Sequence, residues 1–239
     1  MIETAINKPD PHGSNLPVGK SVHELHGRVV RTPDLVVPIR CLGENHRNRI
    51  SQHLKLLNQN DRYFRFGFAA NDTQIDRYVA SINFERDEIF GIYNRHLRLI
   101  AMAHLAYSGD RHRGASSEFG VSVLPQVRGR GLGTRLFERA VMHACNEGVR
   151  TMYVHVLSEN AAMLKIARNA GATVVMEGAE TEAHLSLPAA TFNTQLSEMV
   201  EEHLAQADYR IKIQAKQLLQ ALDHLRGVWH PDRQDGRTG

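Results

Sequence analysis

Three glycines alternate with other residues in the short segment between a β-rich run and an apolar, helix-periodic run. They are Gly129, Gly131 and Gly133; the β-rich run, residues 119–123, ends at Pro125. Glycine adopts positive φ angles readily and lets a ligand approach the backbone without a Cβ atom in the way. The pattern therefore predicts a strand, a tight turn and a helix whose N-terminus is open to a ligand.

The N–H groups of such a turn and of the first helical residues have no partners inside the helix, so they favour binding of a phosphate group. Arg128 and Arg130 add positive charge at the rim of the turn. Two nucleotide motifs do not fit: a GxGxxG fingerprint needs a glycine at Thr134, and a P-loop needs a GK[ST] ending. The segment Gly19-Lys20-Ser21 has that ending, but Gly13 is one residue out of register and no strand precedes it.

Composition excludes several classes of protein. The chain has 239 residues, of which 42% are hydrophobic and 23% charged, as in an ordinary globular protein. The net charge of +3 is too small to suggest nucleic-acid binding. Two cysteines far apart, Cys41 and Cys145, and 14 scattered histidines give no metal-site spacing, so no metal is expected. Without a signal peptide or a membrane-length apolar run, the expected location is cytoplasmic, with no membrane partner.

Periodicity predicts a mixed α/β domain over residues 35–188, after a flexible leader at 1–34. A long amphipathic helix is expected at 189–226, followed by a flexible tail at 227–239. Within the domain, the expected strands are residues 36–42, 88–93, 97–106, 119–123, 151–157, 173–176 and 183–187. The expected helices are residues 44–57, a helix capped at Asp72-Thr73, residues 131–146 and residues 161–169. Asn58 to Asp61 is expected to end the first of these helices, and an aromatic cluster follows.

The pattern Arg-x-x-Gly-x-Gly, here Arg128, Gly131 and Gly133, follows a short strand that ends in Val-x-Pro. This combination resembles the acetyl-CoA turn of the GNAT family of N-acetyltransferases. The resemblance continues with Asn160, a helix stopped by Gly171 and an apolar strand, and it covers about residues 118–175. It implies the acyl-CoA N-acyltransferase fold, in which a mostly antiparallel central sheet is flanked by helices.

A looser likeness lies in the amino-terminal half of the predicted domain. Asp61-Arg62-Tyr63 with Arg65-Phe66 is similar to the corresponding segment of bacterial protein-lysine acetyltransferases. That segment contains no catalytic motif.

The family resemblance implies roles for particular residues. Glu118 matches the position of a base glutamate, which would take a proton from the acceptor amine. His155 is a candidate proton donor for the leaving thiolate, because the tyrosine that many members carry is replaced by Ala167. The backbone near Val121 would bind the pantetheine arm, and the glycine turn would bind the pyrophosphate. The residues expected to bind acetyl-CoA are Val121, Ser122, Val123, Arg128, Gly129, Arg130, Gly131, Leu132, Gly133, Thr134 and Asn160.

The resemblance predicts an enzyme that moves an acetyl group from acetyl-CoA to a primary amine by direct transfer. The acceptor could be a protein lysine or a small molecule, and Arg111, His112 and Arg113 lie in a loop where it would enter. A non-catalytic acyl-CoA-binding regulatory module is the alternative. The C-terminal helix could close a homodimer, cover the acceptor groove or pack on its own domain.

Overall fold

A computed structural model describes residues 37–108, 116–177 and 180–229. The predicted leader at 1–34, the loop residues Arg111, His112 and Arg113, and residues 230–239 of the predicted tail lie outside the described residues. Residues 227–229, which we expected in the tail, belong to the last helix.

A seven-stranded sheet forms the centre of the domain, in the order β1-β2-β3-β4-β5-β7-β6. The strands are β1 (Arg40–Cys41), β2 (Glu88–Tyr93), β3 (Leu99–Ser108), β4 (Ser116–Val123), β5 (Thr151–Leu157), β6 (Thr173–Glu177) and β7 (Glu180–Ser186). All neighbouring strands are antiparallel except β4 and β5, which are parallel. The predicted mixed α/β class with a mostly antiparallel sheet is therefore confirmed.

Helices cover both faces of this sheet. They are α1 (Arg47–Lys55), α2 (Gln59–Phe66), α3 (Asp72–Ser81), α4 (Leu132–Asn146), α5 (Ala161–Asn169) and α6 (Phe192–Trp229). On one face α4 and α5 bury residues such as Leu136 and Phe137 against Phe119 of β4. On the other face α1 and α3 bury residues such as Leu54 and Ile75. In α1, α3, α4 and α5 the buried apolar residues recur at helical spacing, so these helices exclude water from both faces of the sheet.

The boundaries of α4 follow the sequence closely. Its buried positions, Leu132, Leu136, Phe137 and Ala140 among them, recur at helical spacing. The helix ends where we expected, because Gly148 adopts a φ of +75° just beyond it.

The prediction for the amino-terminal segment was partly wrong. The first helix does end before Asn58, at Lys55, but residues 59–66 form a second helix, α2, that we did not expect. Asn58 caps α2, since its Oδ1 accepts a hydrogen bond from the Asp61 N–H at 2.8 Å. The next helix is capped by Asn71, one residue before the expected Asp72-Thr73. The predicted edge strand at 36–42 shrinks to β1, although it does lie at the edge of the sheet.

The long helix α6 is continuous and packs on its own domain. Ala205 is fully buried, and the Arg40 guanidinium lies 3.7 Å from the ring centre of Tyr209. The opposite side of α6 carries an exposed apolar row: Leu196, Val200, Leu204, Ile211 and Leu218. A homodimer through this helix stays a prediction.

Candidate active site

The strands β4 and β5 separate after a short parallel ladder. β4 pairs with β3 along its whole length, but it pairs with β5 only over Ser116, Ser117 and Glu118. β5 turns instead to β7, with which it pairs from Thr151 to Leu157. The backbone groups of residues 119–123 that face β5 therefore have no partner in that strand, which leaves a strand edge inside the sheet for an amide-rich ligand.

The glycine turn follows directly on this strand edge. Gly129 and Gly131 have φ angles of +74° and +73°, which non-glycine residues rarely adopt. Gly131 is the N-cap of α4 and supplies no side-chain hydrogen bond to the helix. The first N–H groups of α4 thus remain available to an anion, and the helix dipole favours it there.

A cleft of about 450 Å³ joins the strand edge to the turn. It contains ten of the eleven residues that we expected to bind the cofactor: Val121, Ser122, Val123, Arg128, Gly129, Gly131, Leu132, Gly133, Thr134 and Asn160. Arg130 is exposed and does not line this cleft. The structure therefore does not bring Arg130 into this cleft with the other ten residues.

Arg128 is held by an acidic residue that the sequence did not suggest. Its Nη2 lies 2.6 Å from Oδ1 of Asp61, and its Nε donates a hydrogen bond to the carbonyl of Val123. The Asp61 side chain is buried, so the pair ties α2 to the turn and offsets much of the arginine charge. The Asn58–Asp61 cap described above is the sequence signal that could have revealed this helix.

The hydroxyl of Ser122 donates its proton to His53 of α1, so it has no proton left to donate to a ligand in the cleft. Nδ1 of His53 lies 3.0 Å from the Leu99 carbonyl, which can only accept, so Nδ1 carries the proton. Nε2 then accepts from the Ser122 hydroxyl at 2.8 Å. Burial lowers the pKa of His53 to about 4, so the ring is neutral at pH 7.

We expect this histidine to make the fold sensitive to mild acid. The unfolded chain takes up a proton near pH 6.5, whereas the folded state resists protonation until about pH 4. Stability should therefore fall as the pH drops through this window, by up to about 3 kcal/mol. Urea unfolding between about pH 7 and about pH 4 measures the loss.

The variant His53→Gln should lose most of this pH dependence. A smaller slope should remain, because burial also lowers the pKa of His46, and because the pKa of Glu198 lies below its usual value, where hydrogen bonds from His143 and Asn146 outweigh the effect of burial. An identical slope in the variant and the parent protein would contradict the assignment.

Asn160 has two possible uses, and the structure shows one of them. It is the N-cap of α5, where its Oδ1 accepts a hydrogen bond from the Met163 N–H at 3.2 Å. Its Nδ2 donates no hydrogen bond among the described residues, and the side chain borders the cleft. Capping and ligand contact are thus compatible.

A second cleft of about 440 Å³ opens on the other side of the strand gap. Glu118 of β4, His155 of β5 and Glu182 of β7 line it, and His155 and Glu182 are directly opposite on paired strands. The two clefts share the residues Phe64, Arg65, Val121, Asn160 and Met163. A group bound in one cleft can therefore meet a group bound in the other at this junction.

The position at which the family often carries a tyrosine offers no acid here. Ala167 is fully buried in the core between the sheet and α5.

Sequence reasoning also missed Arg65, which we had placed in an aromatic segment and which borders both clefts.

Comparison with known proteins identifies the family. Residues 54–172 match the sequence model of the Acetyltransferase (GNAT) family. The chain therefore belongs to this family through that domain, and the expected membership is confirmed. None of the curated proteins compared with the sequence matches it.

Solved structures with TM-scores above 0.5 share the fold at low sequence identity. The GNAT domain of S. lividans PAT has a TM-score of 0.55 and 19% identity, covering 62% of this chain and 89% of that one. A candidate acetyltransferase from Acinetobacter baylyi ADP1 has a TM-score of 0.52 and 16% identity, covering 64% and 93%. The spermidine N-acetyltransferase of Vibrio cholerae, solved with CoA and spermine, has a TM-score of 0.49 and 17% identity, covering 62% and 94%.

Two further findings apply only to the described residues, 37–108, 116–177 and 180–229. No helix there is long and apolar enough to cross a membrane. No group of three or more potential metal ligands lies together there.

Proposed function

We propose that the chain transfers an acetyl group from acetyl-CoA to a primary amine in a ternary complex. The observation that carries this proposal is the pair of clefts that meet across the gap between β4 and β5. One cleft ends at an open helix N-terminus, and the other holds an exposed carboxylate, Glu118. Such an arrangement suits an anionic donor on one side and an amine on the other.

The residues present fit coenzyme A. N–H groups of residues 129–134 would bind the pyrophosphate, because no side-chain cap occupies the start of α4. The backbone edge of residues 121–123, which has no partner in β5, would pair with the amides of the pantetheine arm. Nδ2 of Asn160 would donate a hydrogen bond to the same ligand.

The reaction then needs one base and one source of a proton. The amine nitrogen attacks the thioester carbonyl carbon, and its proton passes to Glu118 directly or through one water. A backbone N–H at the strand edge stabilises the oxyanion that forms. The C–S bond then breaks, and the thiolate takes a proton from water or from His155. This histidine borders the second cleft, the one with Glu118, which we assign to the acceptor and call the acceptor cleft.

Two carboxylates in the acceptor cleft favour a positively charged acceptor. The carboxylates of Glu118 and Glu182 both line it, so an approaching ammonium group is attracted before it loses its proton. A small-molecule amine and a protein lysine both satisfy this condition.

Substitution of Gly131 is expected to weaken acetyl-CoA binding. A Cβ atom at a φ of +73° is strained by about 1–2 kcal/mol, and relaxation of the backbone turns the amide groups away from the ligand. The dissociation constant of Gly131→Ala should therefore rise by roughly 10-fold or more. Isothermal titration with acetyl-CoA measures it.

Gly148 provides a matched control at the far end of the same helix. It has a φ of +75°, and like Gly131 it has no atom within 4 Å of an added Cβ. Gly148→Ala thus adds the same backbone strain without touching the cleft. Equal affinities of the two variants for acetyl-CoA would show that the glycine turn is not part of the binding site.

A further inference from the structure

A chain of polar side chains runs from the surface to the junction of the two clefts. Arg86 Nε lies 2.8 Å from Asp87 Oδ1, and Asp87 Oδ2 lies 3.2 Å from His104 Nε2. His104 Nδ1 is 2.6 Å from the Tyr78 hydroxyl, which is 2.6 Å from Nη2 of Arg65. Asp87 and His104 are 4% and 8% exposed, so the middle of the chain is dry.

With a neutral His104 ring, the donors and acceptors of this hydrogen-bonded series can be assigned in one way. Arg65 only donates, so the Tyr78 oxygen accepts from it and gives its own proton to Nδ1 of His104. Nε2 of His104 then carries a proton and donates it to Asp87. Burial by itself would raise the pKa of Asp87, but hydrogen bonds from His104 and Arg86 bring it well below its usual range. The ionised carboxylate therefore orients the chain and fixes the position of Arg65.

Arg65 lies flat against the backbone of β4. A Cβ atom added to Gly120 would be 2.7 Å from Cζ of this arginine, so only glycine allows the approach. Gly120 is opposite His104 in the β3–β4 ladder, next to Glu118 on the same face of the strand. The guanidinium thus lies at the junction of the two clefts, where the proposed acyl transfer takes place, and borders both of them.

Unlike its neighbours, this arginine has no acidic partner among the described residues. Arg128 pairs with Asp61 and Arg62 with Asp72, but Arg65 bonds only to the neutral Tyr78. Its Nε is buried without a partner. A half-buried cation that is anchored by a neutral side chain, with no ion pair among the described residues, provides a binding site for an anion.

We propose that Arg65 binds a carboxylate that one of the two substrates carries close to the reacting atoms. The carboxylate belongs either to the acyl chain of the donor or to the acceptor amine, since the guanidinium borders both clefts. Nη1 and the second N–H of Nη2 supply the two parallel donors that a carboxylate accepts. Tyr78 is a positioning residue in this arrangement. The inference rests on the proposed acyl-CoA-dependent transfer.

Two pairs of substrates separate the sources of the carboxylate. The donor pair is succinyl-CoA and acetyl-CoA with one fixed amine, and the acceptor pair is an α-amino acid and its carboxamide with acetyl-CoA. In one pair we expect kcat/KM to favour the carboxylate member by roughly 10-fold to 100-fold, as for a charge-assisted hydrogen-bonded pair. Arg65→Gln should reduce that ratio to about 1, within the noise of such assays.

Two further variants test the positioning. Tyr78→Phe keeps the arginine but removes its anchor, so the same ratio should fall by several-fold, mainly through a higher KM for the carboxylate substrate. Gly120→Ala displaces the guanidinium and should give the same direction of change. The matched control is Arg77→Gln, an exposed arginine one residue before Tyr78, which should leave the ratio as it is.

Two outcomes would overturn the inference. One is a parent protein without a carboxylate preference in either pair, and the other is an Arg65→Gln variant that keeps the preference. An Arg65→Gln variant that keeps the preference but loses activity equally on both members would indicate a role in oxyanion stabilisation or folding. Titration with acetyl-CoA distinguishes failure of the underlying function: without acetyl-CoA binding both proposals fall, whereas binding and transfer without a preference overturn only this one.

Discussion

Replacement of Glu118 by glutamine is expected to lower kcat by roughly 100-fold to 10,000-fold, the usual loss when a positioned general base is removed. The carboxamide keeps the shape of the side chain but cannot accept the proton of the amine. The loss should be largest at low pH, where most of the acceptor is protonated, and it should shrink as the pH approaches the pKa of the free amine. Initial rates of thiol release from about pH 6 to about pH 9.5 measure this profile.

A matched variant separates this chemistry from a simple loss of charge. Glu159→Gln removes one negative charge from the exposed turn next to Asn160, outside both clefts. Its kcat should stay within about twofold of the parent value, as for surface substitutions in general. A Glu118→Gln variant with unchanged kcat/KM at every pH would exclude Glu118 as the base.

Replacement of Arg139 by alanine should lower the free energy of unfolding by about 3–5 kcal/mol, the usual effect of removing one partner from a buried ion pair. Arg139 is only 3% exposed, and its guanidinium lies 2.7, 3.8 and 3.7 Å from the carboxylates of Glu198, Glu201 and Glu202 on α6. Burial by itself would raise the pKa of Glu198, but hydrogen bonds from His143 and Asn146 lower it to about 2. This carboxylate therefore stays ionised after the arginine is removed.

Urea unfolding at pH 7 measures this effect, and Arg168→Ala on α5 is the matched control. Arg168 is exposed, so its removal should change the free energy of unfolding by less than about 0.5 kcal/mol. The Arg139→Ala penalty should also shrink in acid, where the carboxylates take up protons. A penalty below about 1 kcal/mol at pH 7 would mean that α6 is not docked on α4 in solution.

Much of the fold could be predicted from the sequence because its signals are local. The glycine at position 148, the apolar spacing of α4 and the turn at residues 94–96 each specify a boundary without reference to the rest of the chain. The prediction failed at α2, where Asn58 to Asp61 has the composition of a loop. There the asparagine is a cap, and Phe66, one of the aromatic residues that follow it, packs against Tyr78 of α3.

The candidate site also has one part that local sequence predicts and one part that it does not. The cofactor side lies in one continuous segment, so the turn and the strand before it could be recognised from their spacing. The acceptor side is assembled from distant segments, and nothing in the sequence places Arg65 beside Gly120 or Asp61 beside Arg128. His53 is a further case, because its contact with Ser122 depends on how α1 crosses the sheet. Such contacts depend on tertiary packing and leave no local pattern.

Release of CoA thiol from acetyl-CoA in the presence of a panel of primary amines tests the proposed function most directly. The panel should contain polyamines, amino acids with their carboxamides, and lysine peptides. We expect at least one amine to raise the rate above hydrolysis, with saturation in amine concentration and loss of that rate in Glu118→Gln. Acetyl-CoA binding without amine-dependent release for any member of the panel would contradict it and favour a non-catalytic acyl-CoA-binding module.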